Sequence, residues 1–142
     1  MLMVLSAALI SAPLAGPAHA GTRAERYRAK VFSFVNHFRA HAGLGALRDA
    51  PKVDELAWKH SLHMARERRL FHTSDLTQKL RHLKPSAWGE NVGVGPSIWR
   101  VFKMWCDSAP HRANMLNGRY HAAGVGVVYA HGGYWLTLIF YG

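Results

Sequence analysis

A chain of 142 residues with a single cysteine, Cys106, cannot form an intrachain disulfide. Any fold it takes must be held by its own apolar core, which requires enough buried side chains in one contiguous unit. The material is there: hydrophobic residues make up 49% of the chain and charged ones 18%, a balance that fits a packed domain rather than disorder. The length suits one domain and is too short for two sizeable ones.

The first 20 residues stand apart from the rest. Met1 to Ala20 contain no Asp, Glu, Lys or Arg. An apolar run, Leu2 to Ile10, leads through Pro13, Gly16 and Pro17 to Ala18-His19-Ala20, a small-x-small cleavage pattern before Gly21. The run is too short and too broken by proline to span a bilayer. It lacks the basic residues that usually open a signal peptide. A buried N-terminal helix is the weaker reading, because the amphipathic pattern begins only after this stretch. The expectation is a signal peptide over residues 1–20 and a single domain over residues 21–142, secreted or periplasmic, monomeric, with no transmembrane segment.

The leader carries no charged side chain, so the domain keeps the whole net charge of +10. Such an excess favours anionic partners. The basic residues are scattered, the densest group being Arg66, Arg68 and Arg69, followed by Lys79, Arg81 and Lys84. No basic-aromatic motif is visible, so specific nucleic-acid binding is not expected. A solvated basic face is the plainer reading of the same charge.

Periodicity orders the rest. Tyr27, Val31, Phe34, Val35, Phe38 and Ala42 recur at helical spacing over residues 25–42, and Gly43 supplies the stop. A second helix is predicted from Asp49, as N-cap, and Pro51 to about Leu70, with Val53, Leu56, Ala57, His60, Met64 and Ala65 on one stripe. Residues 74–88 read as a polar surface loop around a short turn. Trp88 to Gly95 reads as a tight glycine-rich segment with a short strand. Ser97 caps a third helix that Ser108-Ala109-Pro110 breaks, with another helical turn over residues 111–116. Ala123 to Ala130 and Tyr134 to Tyr141 read as strands joined at His131-Gly132-Gly133. The order gives an α+β fold, a small antiparallel sheet flanked by helices.

Fragments of one pattern run through these elements: Val35-Asn36 with Arg39 and Gly43-Leu44; His60-Ser61 with Met64-Ala65; Phe71-His72; Gly89-Glu90-Asn91; Trp105, Ser108, Pro110-His111-Arg112 and Asn114; Gly124-Val125-Gly126-Val127 and the terminal aromatic strand. In this order they resemble the CAP superfamily, which groups cysteine-rich secretory proteins, insect-venom antigens and plant pathogenesis-related proteins, in its short bacterial form. The resemblance implies a three-layer α-β-α sandwich and a cleft lined by two His and acidic residues. By position these are His72, His111 and Glu90. Many members carry a second Glu where this chain has Ser108. Asp107 is adjacent, but one helical residue turns its side chain away.

Two imidazoles and a carboxylate suit a divalent metal, zinc or calcium, held by His72, His111 and Glu90, with Ser108 and Asn91 as further ligand-binding groups. The same cluster could instead carry catalysis, Glu90 orienting a His that acts as general base, or Ser108 serving as nucleophile beside His111. Asn91 could equally tie backbone in its glycine-rich segment. Cys106 reads as a buried apolar residue beside Trp105, His60 as a satisfied packing residue, and His37, His41, His82, His121 and His131 as surface groups. Trp88, Trp99 and Trp135 line a groove or pack the core. With one acid missing and no clear nucleophile, a binding module for a lipid, sterol or anionic envelope polymer is favoured over a hydrolase, and enzymatic activity is not the first expectation.

Cleavage after Ala20 has a direct check. N-terminal sequencing of exported material should begin at Gly21, and a cytosolic product that retains Met1 would refute the leader.

Overall fold

Thr22 opens the first helix with a reciprocal cap: its hydroxyl accepts the Glu25 amide at 3.2 Å, and the Glu25 carboxylate accepts the Thr22 amide. The computed structural model describes residues 22–142, so the expected signal peptide lies outside the described residues. Helix α1 runs Arg23–His41 and stops where predicted. Gly43 takes φ +72°, and the Leu44 amide closes back on the Arg39 carbonyl at 3.0 Å.

Strand β1, Arg48–Asp49, precedes helix α2, Pro51–Glu67. Asp49 is not the helix cap. It belongs to β1, while Ala50 takes the cap position and Pro51 starts the helix with its fixed φ. The helix also ends three residues before Leu70, because Arg68 adopts a left-handed φ of +51°. The segment read as a loop contains helix α3, Leu76–Leu80, and a 3₁₀ turn, Arg81–Leu83. Strand β2 is Trp88–Gly95. Helix α4, Ile98–Asp107, is capped by the Ser97 hydroxyl on the Arg100 amide, and helix α5 is Ala109–Met115. Strands β3, Ala122–Ala130, and β4, Gly133–Tyr141, close the chain. Their turn is His131-Gly132, at φ +53° and +74°, the two positive values of a type I′ hairpin.

The sheet order is β1-β3-β4-β2. β2, β3 and β4 are antiparallel, as expected. No strand is expected between the first two helices, yet β1 adds two residues parallel to β3. Two side-chain hydrogen bonds explain why it can form: Asn36 accepts the Leu47 amide at 2.8 Å and donates to the Leu47 carbonyl at 3.1 Å, pinning the residue before β1 against α1.

Alternation along the strands separates two cores. Val125, Val127, Leu136, Leu138 and Phe140 pack against Val31, Val35, Val101, Phe102 and Trp105 of α1 and α4. On the opposite face Ile139 meets Val53 and Ala57 of α2, and Trp135 meets Met64 and Ala65. The result is the expected α-β-α sandwich. Helix α2 lies directly on the backbone of β3. A Cβ at Gly124 would stand 2.3 Å from the Val53 carbonyl carbon, and one at Gly126 would stand 2.2 Å from that of Ala57. Ser61 Oγ completes the seam, 3.1 Å from the Gly126 carbonyl and 2.8 Å from Thr137 Oγ1.

Gly126→Ala therefore drives a methyl into helix backbone, which cannot swing aside. The expected loss is at the upper end of the roughly 1–3 kcal/mol typical of overpacking, or beyond it. A denaturant midpoint within error of wild type would show that α2 does not sit where described.

Candidate functional site

β2 is one of the two edge strands of the sheet, and its outward carbonyls would be orphaned without partners. Three side chains supply them. Tyr120 Oη donates to the Trp88 carbonyl at 2.8 Å, Asn114 Nδ2 to that of Glu90 at 3.2 Å, and Trp105 Nε1 to that of Val92 at 2.9 Å. Glycine makes room for them. A Cβ at Gly89 would lie 2.5 Å from Tyr120 Oη, and one at Gly93 would lie 2.6 Å from Val101. This stitching fixes α4 and α5 along the strand that carries Glu90 and Asn91.

The Glu90 side chain is only 4% exposed. Both oxygens are engaged: Oε1 accepts His72 Nδ1 at 2.7 Å and the Thr73 amide at 2.9 Å, and Oε2 accepts the Thr73 hydroxyl. A carboxylate only accepts, so His72 carries its proton on Nδ1 and leaves Nε2 as the free nitrogen. His72 itself is 66% exposed at the side chain. Burial of Glu90 beneath an exposed imidazole is the arrangement by which a carboxylate orients a histidine.

His111 stands on α5, whose position Asn91 sets. Asn91 is fully buried, donates to the His111 carbonyl at 3.0 Å and accepts from Asn114 at 2.9 Å. Ser108, at the junction of α4 and α5, has its Oγ 2.7 Å from His111 Nδ1. Burial, and then the charge of nearby His72, hold the His111 imidazole below the usual histidine value. Each imidazole thus has its Nδ1 engaged, that of His72 by a carboxylate and that of His111 by a hydroxyl. Neither Nε2 has a hydrogen-bond partner among the described residues.

A pocket of about 400 Å³ opens beside His72, lined by His72, Thr73, Asp75, Leu76, Thr77, Trp88 and Glu90, and not by His111. Trp88 is 44% exposed and forms its apolar wall. Trp99 is also exposed, but lies over Phe34 and Phe102 on the α1–α4 side, and Trp135 is buried core. Asp107 points away from the cleft to Lys103. Cys106 is half-buried rather than buried, and burial pushes its thiol up, away from nucleophilic character. His60 is a packing residue, its Nε2 2.7 Å from the Phe71 carbonyl. Among the described residues no group of three or more His, Cys, Asp or Glu is arranged to hold a metal. Thr73, which clamps both oxygens of Glu90, was not singled out by sequence reasoning. Its only signal is its place directly after His72.

A family model described as the cysteine-rich secretory protein family, CAP, matches residues 32–140. Among solved structures, the chain is similar to an extracellular protein containing an SCP domain from Bacillus anthracis, at 25% identity and a TM-score of 0.73, over 92% of this chain and 45% of that one. It also resembles an outer surface protein from Borrelia burgdorferi, at 16% identity and a TM-score of 0.72, covering 80% of this chain and 90% of that one. A cysteine-rich secretory protein from Staphylococcus aureus aligns at 22% identity and a TM-score of 0.69, over 84% of this chain and 39% of that one. The chain thus spans less than half of the Bacillus and Staphylococcus proteins. No curated protein sequence matches it.

The depressed His111 value has a signed consequence. Below about pH 6.5 the unfolded chain binds a proton at this residue that the folded chain resists. Stability from His111 is therefore full above that pH and is lost as pH falls through the lower folded value. Denaturation midpoints measured from pH 7.5 to 5 should fall less steeply in His111→Gln than in wild type; identical slopes would remove His111 from the buried cleft.

Proposed function

Because the chain belongs to the cysteine-rich secretory protein family, CAP, we propose that it is an extracytoplasmic binding module whose cleft takes an amphiphile with an anionic head. One observation carries the reading. The exposed Trp88 ring walls the 400 Å³ pocket that His72 and Glu90 also line, which sets an apolar surface beside polar anchors, the usual make-up of a small-ligand site. The net charge of +10 draws anionic envelope lipids or polymers toward it. Export is supported by the leader-like residues 1–20, by the extracellular and outer-surface proteins it resembles, and is compatible with the lack, among the described residues, of a helix long and apolar enough to cross a membrane.

The two free Nε2 atoms also suit a divalent metal, with His72 and His111 as ligands and the remaining positions left to water or the ligand head. Imidazole pairs favour zinc over calcium, which prefers oxygen. Glu90 fits better as the group that orients His72 than as a third ligand, since both its oxygens are engaged. Bound metal would add a positive centre for the anionic head.

A second reading, a hydrolase using His72, Glu90 and His111, draws on the Ser108–His111 contact. It lacks a second acid to divide proton donor and acceptor roles.

Co-sedimentation with vesicles separates these. Binding should be stronger to anionic than to neutral vesicles and should fall with salt, as exposed charges are screened within about 10 Å at 0.1 M. Trp88→Ala should weaken it roughly fivefold, the worth of about 1 kcal/mol of aromatic contact. Turnover of peptides, esters, glycans or phosphodiesters that vanishes in both His72→Ala and Glu90→Gln would replace the binding module with the hydrolase.

A further inference from the structure

The exposed face of α1 carries a second pair of imidazoles that the cleft does not use. His37 and His41 are four residues apart, so both rings leave the helix on the same side. Their Nε2 atoms are 3.0 Å apart, with ring centroids 4.5 Å apart and planes at 84°. Both residues are exposed.

That separation has the dimension of a chelate. A metal–imidazole bond is about 2.0–2.1 Å. At that bond length, nitrogens 3.0 Å apart subtend roughly 90–95° at a shared ion. A tetrahedral site at the same bond length needs about 3.3 Å between nitrogens, whereas neighbouring positions of a square-planar or tetragonal site need about 2.9 Å. The pair therefore fits the geometry of Cu(II) better than that of Zn(II).

We propose that His37 and His41 form a surface chelate for Cu(II), its remaining positions filled by water or an external ligand. Imidazole suits copper, and Cu(II) heads the divalent series in affinity. In the metal-free pair one Nε2–H donates to the other Nε2. Chelation needs both lone pairs, so the donating ring moves its proton to Nδ1, a tautomer change with no net proton released. With no third His, Cys, Asp or Glu grouped there among the described residues, the chelate is bidentate, and the ion keeps open positions. The site is separate from the cleft pair: it lies within one helix, on two residues the cleft does not engage.

Calorimetric Cu(II) titration of the untagged full chain, with glycine as competing buffer, tests the assignment, with electron paramagnetic resonance reading the ligand set. The titration is run in a chain carrying both His72→Ala and His111→Ala, so that the cleft pair holds no copper. The expected result is one Cu(II) with two nitrogen ligands, weakened about tenfold or more when His37→Ala or His41→Ala is added, with circular dichroism the same before and after. Copper affinity unchanged by either α1 substitution, or a spectrum with a single nitrogen, would overturn the proposal.

Discussion

An edge strand must find partners for the outward half of its backbone, and that requirement organises this molecule. β2 solves it without a further strand: Tyr120, Asn114 and Trp105 take alternate carbonyls along its rim. Each donor comes from a different segment, so satisfying one strand fixes α4, α5 and the approach to β3 together. An unpaired buried carbonyl costs about 1–3 kcal/mol, so the three contacts act as positional constraints rather than incidental bonds. The functional consequence is register. Glu90 and Asn91 are neighbours on that strand and point to opposite faces. One face orients His72, and the other holds the backbone of His111. The cleft is a by-product of closing the sheet edge.

A second set of carbonyls is gathered by one charge. Arg39 is 2% exposed and donates to the carbonyls of Gly45, Met115, Asn117 and Tyr120, at 2.9–3.0 Å. Among the described residues no carboxylate joins it. A buried guanidinium without a counterion is tolerable only because its planar fork is filled by oxygen dipoles, one of them at the C-terminal end of α5, where a positive charge is favoured. Burial nonetheless lowers its affinity for a proton, without bringing it near neutrality. The effect is to tie the end of α1, the end of α5 and the loop leading to β3 at one point. In a chain that cannot use a disulfide, this single side chain performs a comparable cross-linking task.

What was legible in the sequence follows from range. Helix stripes, the Ser97 cap, the Gly43 stop and the His131-Gly132 turn are set by residues a few positions apart, and they stand where periodicity puts them. Asp49 misled because its chemistry suits a cap, yet pairing with β3 claimed its backbone first. The end of α2 was missed because nothing in the side chain of Arg68 signals a left-handed turn. In the cleft, His72, Glu90 and His111 came from the family pattern and not from any local spacing. Thr73 was invisible, since its role exists only once β2 brings Glu90 beneath it. Arg39 appeared as a pattern residue, but its four partners span residues 45 to 120 and no window of sequence contains them.

The distribution of the few acids sharpens the electrostatic picture. The chain has eight carboxylates against eighteen Lys and Arg, and several acids are withdrawn from solvent or neutralised. Glu90 is buried under His72 and Thr73. Asp54 is buried with its carboxyl pushed up to about 6, chiefly by burial and further by Asp49, against the pull of the Val125 amide and Arg28. Glu55 and Asp107 are paired with Lys59 and Lys103 at the surface, where such pairs cancel local field more than they stabilise. The potential that a distant anionic surface meets is thus more uniformly basic than the composition suggests. Within the cleft the asymmetry is finer: His72 rests on a carboxylate and His111 on a hydroxyl. The two rings therefore differ: one is oriented by a buried carboxylate, and burial disfavours protonation of the other.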